Sequence, residues 1–109
     1  MGLDMRDRSM IARTWIVEVD PARADAYEKF AREVSVPMFK QQVGCRGVLM
    51  TRDGQRCQVI SLWADRGAVD ALCGSPTYED TVAAIQALGI LSDAGPVALA
   101  AVHELEIFA

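Results

Sequence analysis

A chain of 109 residues, 51% hydrophobic and 24% charged, is sized for one globular domain with a single core, which excludes a disordered polymer. Its formal net charge of −4, with lysines and arginines scattered rather than clustered, argues against nucleic acid, whose binders need a positive footprint. No apolar run approaches the roughly 20 residues of a membrane helix, so no membrane partner is expected either.

Residues 1–9 (MGLDMRDRS) are polar and patternless, and are expected to be a flexible tail ahead of one domain over residues 10–109. They lack the apolar stretch of a secretory leader. Residues 10–19 (MIARTWIVEV), rich in β-branched and aromatic side chains, read as the first strand, largely apolar on both faces. Asp20-Pro21 then opens a helix, the carboxylate capping free N–H groups and the proline losing no needed donor. Its buried stripe is Tyr27, Phe30, Ala31, Val34 and Met38. Pro37 falls inside that pattern and predicts a kink or break at Val36. Gly44 suits a left-handed stop.

Residues 45–52 read as the second strand and 55–64 as the third, joined at Asp53-Gly54, a pair that tolerates the positive φ of a tight hairpin. Asp65 caps a short helix over 66–73 that Gly74 ends. Ser75-Pro76 starts another helix, with Tyr78, Val82 and Ile85 on its buried face and Gly89 closing it. A loop containing Ser92, Asp93, Gly95 and Pro96 is expected before a last strand over 97–108.

The order βαββααβ predicts an α+β, ferredoxin-like fold with a four-stranded antiparallel sheet. Helices on one face would leave the other face to water, and that face should then be polar. Instead the last stretch carries Val97, Leu99, Ala101, Leu105 and Ile107 on one side and Ala98, Ala100, Val102 and Phe108 on the other. A second copy of the same sheet is the simplest cover, so a homodimer with packed sheets is expected.

Chemistry is sparsely marked. The three cysteines are odd in number and lack CxxC spacing, which suits unpaired thiols in a reducing cytoplasm. One histidine is too few for an evident zinc site, and no flavin or nicotinamide fingerprint is present, so neither metal nor cofactor is expected. His103 reads either as a proton shuttle or as a hydrogen-bonded histidine of the core or dimer interface. Arg13, in an apolar strand, is either paired across the dimer or a clamp for a substrate anion. Trp63 and Tyr78 flank the helical segment and serve either as pocket walls or as core.

The segment SLWADRGAVDALCGSPTYEDTVAAI resembles the antibiotic biosynthesis monooxygenase family of the dimeric α+β barrel superfamily. That pattern is a strand ending in Trp, a capping residue, a short helix, then Ser-x-x-Phe/Tyr; Trp63, Asp65, Leu72, Ser75 and Tyr78 match it here. The likeness extends over residues 10–108. Haem-degrading members carry a second Trp, a His and an Asn where this chain has Leu72, Val82 and Thr14, and an aliphatic side chain cannot ligate iron. The quinone-forming, cofactor-independent branch is the better match.

The resemblance to that branch implies oxidation of a small aromatic, quinol- or anthrone-like substrate by dioxygen, the substrate supplying the electrons. Such chemistry needs a dry apolar pocket, a group to take a proton and donors for the resulting anion. His103 and Arg13 are the expected catalytic residues; Trp63, Tyr78, Leu72 and Val82 are the expected substrate-binding ones. The alternative is a non-catalytic homodimer that binds a small apolar molecule or serves a structural role. Acidic partners converging on His103, beside a cavity on the order of several hundred Å³, would favour the enzyme. A filled interior with His103 in the interface would favour the alternative.

Overall fold

In the computed structural model, which describes residues 9–108, the β-branched first segment forms β1 (Ile11–Val19) near the middle of an antiparallel sheet. The other strands are β2 (Cys45–Asp53), β3 (Arg56–Trp63) and β4 (Leu91–Ala101), in the spatial order β2-β3-β1-β4. That is the order of the split βαβ arrangement, so the α+β ferredoxin-like fold stands. The expected tail, apart from Ser9, lies outside the described residues; the Ser9 hydroxyl donates to the Ala64 carbonyl at 3.0 Å.

Local chemistry explains the helix starts. Asp20 accepts from the Ala22 N–H at 3.0 Å ahead of a single 3-10 turn, Pro21–Arg23. Asp65 accepts from the Ala68 N–H at 2.9 Å and opens α3 (Arg66–Cys73). Ser75 does the same for α4 (Pro76–Ala87), accepting from the Tyr78 N–H at 3.4 Å. The β2–β3 hairpin pairs Asp53 with Arg56, leaving Gly54 and Gln55 as its loop. Only Gly54 takes positive φ, +62°, the backbone a type II′ turn requires at its first loop position. Gly44 makes another demanding turn, φ +85°, where the chain leaves the helices for β2.

The predicted break at Pro37 is not a break. Helix α1 (Ala24–Phe30) runs through a π turn (Ala31–Ser35) directly into α2 (Val36–Gln41). The Val36 N–H reaches the Ala31 carbonyl, five residues back. Proline has no N–H to donate and its ring crowds the carbonyl four residues before it; the wider turn gives that ring room without stopping the helix.

The last strand also differs from expectation. It starts at Leu91, inside the expected loop, and ends at Ala101. Trp15 pairs with Val97 and Val17 with Ala94, so Ile16 alone faces Gly95 and Pro96, a β-bulge. A Cβ on Gly95 would sit 2.5 Å from the Ile16 carbonyl oxygen, so only glycine fits so close to the neighbouring strand. Pro96 is tolerated because β4 is an edge strand and the bulge needs no N–H there. Beyond the strand, Val102 still donates to the Met10 carbonyl at 2.9 Å, and Ile107 and Phe108 are exposed.

Register divides the sheet cleanly. Arg13, Trp15 and Val17 lie opposite Ser61, Val59 and Cys57 on the face that the helices cover. Ala12, Thr14 and Ile16 lie opposite Leu62, Ile60 and Gln58 on the other face, where Leu49 is 58% exposed. The buried side chains form two clusters. One joins Val17, Tyr27, Cys57 and Ile85; the other joins Met38, Phe39, Val59, Trp63 and Leu72; Trp15 packs against both. Among the described residues, no helix is long and apolar enough to cross a membrane.

Candidate functional site

Where the α1–α2 helix and α4 lean apart over the middle of the sheet, they leave a cavity of about 40 Å³. The sheet supplies Arg13, Trp15, Met50 and Val59; the helices supply Tyr27, Ser35, Met38, Phe39, Tyr78, Thr81, Val82 and Ile85. Ser35 belongs to none of the apolar positions expected to face inward. The π turn adds a residue to the helical register, which brings Ser35 into the lining and rotates Val34, predicted as buried, to 39% exposure.

Arg13 is the unusual member. It projects from the centre of β1 between Ser61 and Leu99 and is only 5% exposed. Its Nη2 donates to the Tyr78 hydroxyl at 2.8 Å, and the guanidinium carbon lies 5.5 Å from the centre of that ring. It makes no ion pair among the described residues. Among the described residues no fully enclosed side-chain nitrogen or oxygen lacks a partner, and Arg13 lines the cavity, so its guanidinium hydrogens that bond no protein group keep access to that space. Arg13 stands on the helix-covered face, away from the sheet face that a second copy would cover.

Tyr27 is a second polar group with spare capacity. Burial, and the nearby Cys57 thiol, push its phenol up from 10.0 to about 12, and the hydroxyl bonds no described residue. It is therefore a neutral donor at ordinary pH. Burial also pushes the Cys57 thiol above its ordinary 9.0. Both groups are held neutral in the fold, so their stabilisation is complete below their ordinary values and drains away as pH climbs through the raised ones. The stability measured by urea unfolding should fall by about 2–3 kcal/mol between pH 10 and pH 12, the Tyr27 window. Tyr27→Phe should remove most of that slope; an unchanged slope in the variant would assign it elsewhere.

The other expected site residues divide. Tyr78 and Val82 line the cavity with Arg13. Trp63 is 0% exposed, its Nε1 donates to the Ser61 Oγ at 2.8 Å, and Phe39 packs edge-on against it at 6.4 Å. Leu72, 1% exposed, shares that cluster. Both sit one layer behind the lining, supporting Phe39 and Val59. His103 is exposed beyond the end of β4 and is not part of the cavity wall. Sequence reasoning identified Tyr27 and Met38 as buried and strand one, Arg13 apart, as apolar, without assigning Tyr27, Met38 or Trp15 to a site. The signal that could have found them is the placement of one arginine on the same strand face as Trp15 and Val17.

An outer groove of about 300 Å³ abuts the cavity, lined by Tyr27, Glu28, Ala31, Arg32, Val36, Met50, Thr51 and Arg52. Tyr27 and Met50 line both spaces and form the partition between them. Arg52 pairs with Glu28 at 3.4 Å, whereas Arg32 has no ion pair among the described residues. Among those residues, no three His, Cys, Asp or Glu side chains stand where they could hold a metal ion.

Solved structures share this architecture. A conserved protein from Methanosarcina mazei Go1 is similar at 12% identity, over 91% of this chain and 98% of that one, with a TM-score of 0.76. SnoaB from Streptomyces nogalater, a cofactor-independent oxygenase, is similar at 18% identity over 89% and 96%, TM-score 0.70. Rv0793 from Mycobacterium tuberculosis is similar at 21% identity over 93% and 100%, TM-score 0.65. At these identities the likeness is one of fold. No curated protein matches the chain. The family model for antibiotic biosynthesis monooxygenases matches residues 10–84, which takes in β1, the π-turn helix, the hairpin and most of α4; the chain belongs to that family.

Proposed function

We propose that this chain is a cofactor-independent monooxygenase that oxidises a small aromatic, anthrone- or quinol-like molecule with dioxygen, working as a homodimer of one domain over residues 10–109. The observation that carries the reading is the cavity itself. Trp15, Tyr27, Phe39 and Tyr78 wall it with aromatic rings around a single buried guanidinium. Dry aromatic walls suit a flat substrate, and fixed donors suit the anion from which electrons pass to oxygen. For an anthrone-like methylene, one dioxygen is consumed per methylene oxidised. Both C–H bonds break, one oxygen atom enters the product as the carbonyl, and the other leaves with the two hydrogens as water.

At about 40 Å³ the cavity is smaller than an aromatic ring system, so substrate must displace its edge. Met38 and Met50 are the side chains suited to that, being unbranched and easily repacked. His103 is given no part in this protomer's cavity. The test is oxygen uptake with 1,8-dihydroxyanthrone as probe. Uptake should exceed the buffer background with one dioxygen consumed per carbonyl formed, and His103→Ala should stay within about twofold of the parent, as a surface change does. Uptake no faster than buffer sinks the catalytic reading.

Two observations favour the runner-up, a non-catalytic homodimer that binds a small apolar molecule: the cavity is about 40 Å³ rather than several hundred and lies away from His103, and among the described residues neither a carboxylate nor an imidazole lines it. The dimer belongs to both readings. Its support is the outer sheet face, where Ile16, Ile60 and Leu62 are half-buried and Leu49 is 58% exposed. Native mass spectrometry should give twice the chain mass; a monomer at micromolar concentration refutes the dimer.

A further inference from the structure

We infer that the molecule this cavity takes is an anion: a small aromatic acid that arrives already deprotonated and whose charged oxygen is held by Arg13, Tyr78 and Tyr27. The inference rests on the reading that the cavity is the ligand site, and is independent of whether oxygen chemistry follows.

Three observations lead to it. A guanidinium 5% exposed, with one neutral hydroxyl as its protein partner and no ion pair among the described residues, is a buried charge lacking its counter-charge. Its unbonded N–H groups open on the cavity. A partner sheet on the outer face could not neutralise it, because Arg13 is on the opposite, helix-covered side.

Next, the polar groups of the wall are ready to donate. The Tyr78 oxygen accepts from Arg13 and so keeps its own hydrogen for a ligand, and the Tyr27 hydroxyl is protonated and unpartnered among the described residues. Ser35 and Thr81 add only neutral hydroxyls. With no carboxylate or imidazole in the lining among the described residues, none of these can take a proton from a neutral acid at ordinary pH. The ligand must bring its charge with it. Hydrogen bonds from a guanidinium to an anionic oxygen are also stronger than those to a neutral one, so the site discriminates by charge.

Last, the groove outside the Tyr27–Met50 partition carries, among the described residues, Arg52 and Arg32 against Glu28 alone. On a chain of net charge −4 this is a local positive approach that leads to the buried cation.

The experiment is isothermal titration calorimetry at neutral pH and fixed salt, comparing 2-naphthoate with its neutral isostere 2-naphthamide. The carboxylate should bind at least about tenfold more tightly, as expected of a desolvated charge-assisted contact. Arg13→Met should weaken the carboxylate far more than the amide and so abolish that preference, and Arg13→Lys should retain a preference for the carboxylate. Equal affinities in the parent chain overturn the inference, as does a preference that survives in Arg13→Met. Should Arg13→Met fail to fold, the two probes on the parent chain and on Arg13→Lys still decide. If neither probe binds, the cavity is not the ligand site and the inference falls with it. An anion preference without oxygen uptake leaves the inference standing and removes the oxygenase alone.

Discussion

Trp63→Ala is expected to cost the fold about 3–5 kcal/mol, read as a lower urea midpoint at unchanged slope. Trp63 is the largest of the fully buried side chains, at 0% exposure. Truncation leaves a hole bounded by Phe39, Val69 and Leu72, which belong to helices fixed elsewhere and cannot close over it. Polar damage adds to this. The indole N–H donates to the Ser61 Oγ at 2.8 Å, and Ser61 is itself 0% exposed, holding the Arg13 carbonyl at 3.4 Å. Trp63→Phe keeps most of the volume but loses the hydrogen bond and part of the ring, so it should cost less, about 1–3 kcal/mol. A loss below about 1 kcal/mol for the alanine variant would sink this account of the core.

Gly44→Ala should be nearly as damaging for a different reason. With φ at +85°, the backbone there disfavours any side chain, and an added Cβ would lie 2.6 Å from the Ala68 Cβ on α3. Neither partner in that contact can swing away. Backbone strain and overpacking together should cost about 2–5 kcal/mol. Gly54→Ala is the control. It also sits at positive φ, +62°, but nothing lies within 4 Å of its added Cβ, so only strain of about 1 kcal/mol applies. Thermal melts should separate the pair by several degrees, at about 4–8 °C per kcal/mol for a chain of this size. Equal shifts would mean that contact with α3 is immaterial.

The capping chemistry made the element order legible. Asp20-Pro21, Asp65 and Ser75-Pro76 each act locally, and each begins a helical segment where expected. The Asp53-Gly54 hairpin is likewise local, with strand pairing that follows from the turn. What the sequence could not show was long-range compensation. Pro37 looks like a helix breaker until a π turn upstream gives it room, and that turn also exchanges Val34 for Ser35 in the cavity wall. Gly95 and Pro96 look like loop residues until the neighbouring strand turns them into a bulge. The candidate site was only half legible for the same reason. Trp63 and Leu72 are as buried as their residue types promise, yet which side of a buried layer faces a cavity depends on how the helices lean. Arg13 stood out because a cation in an apolar strand is costly wherever it lands, while His103, a residue type rich in chemical possibilities, carried no such cost and stands in solvent.

The bulge in β4 bears on how this chain can accumulate without clumping. A regular strand at the rim of a sheet offers an evenly spaced row of free backbone groups, a template on which further chains can stack without limit. Here Pro96 contributes no N–H and the extra residue opposite Ile16 puts the row out of step. Sideways growth of the sheet is thereby interrupted in mid-strand. In the proposed homodimer, self-association would use the apolar sheet face instead, where one copy uses up the surface it covers. The same irregularity that misleads a reading of the sequence thus guards one rim of the sheet against open-ended growth.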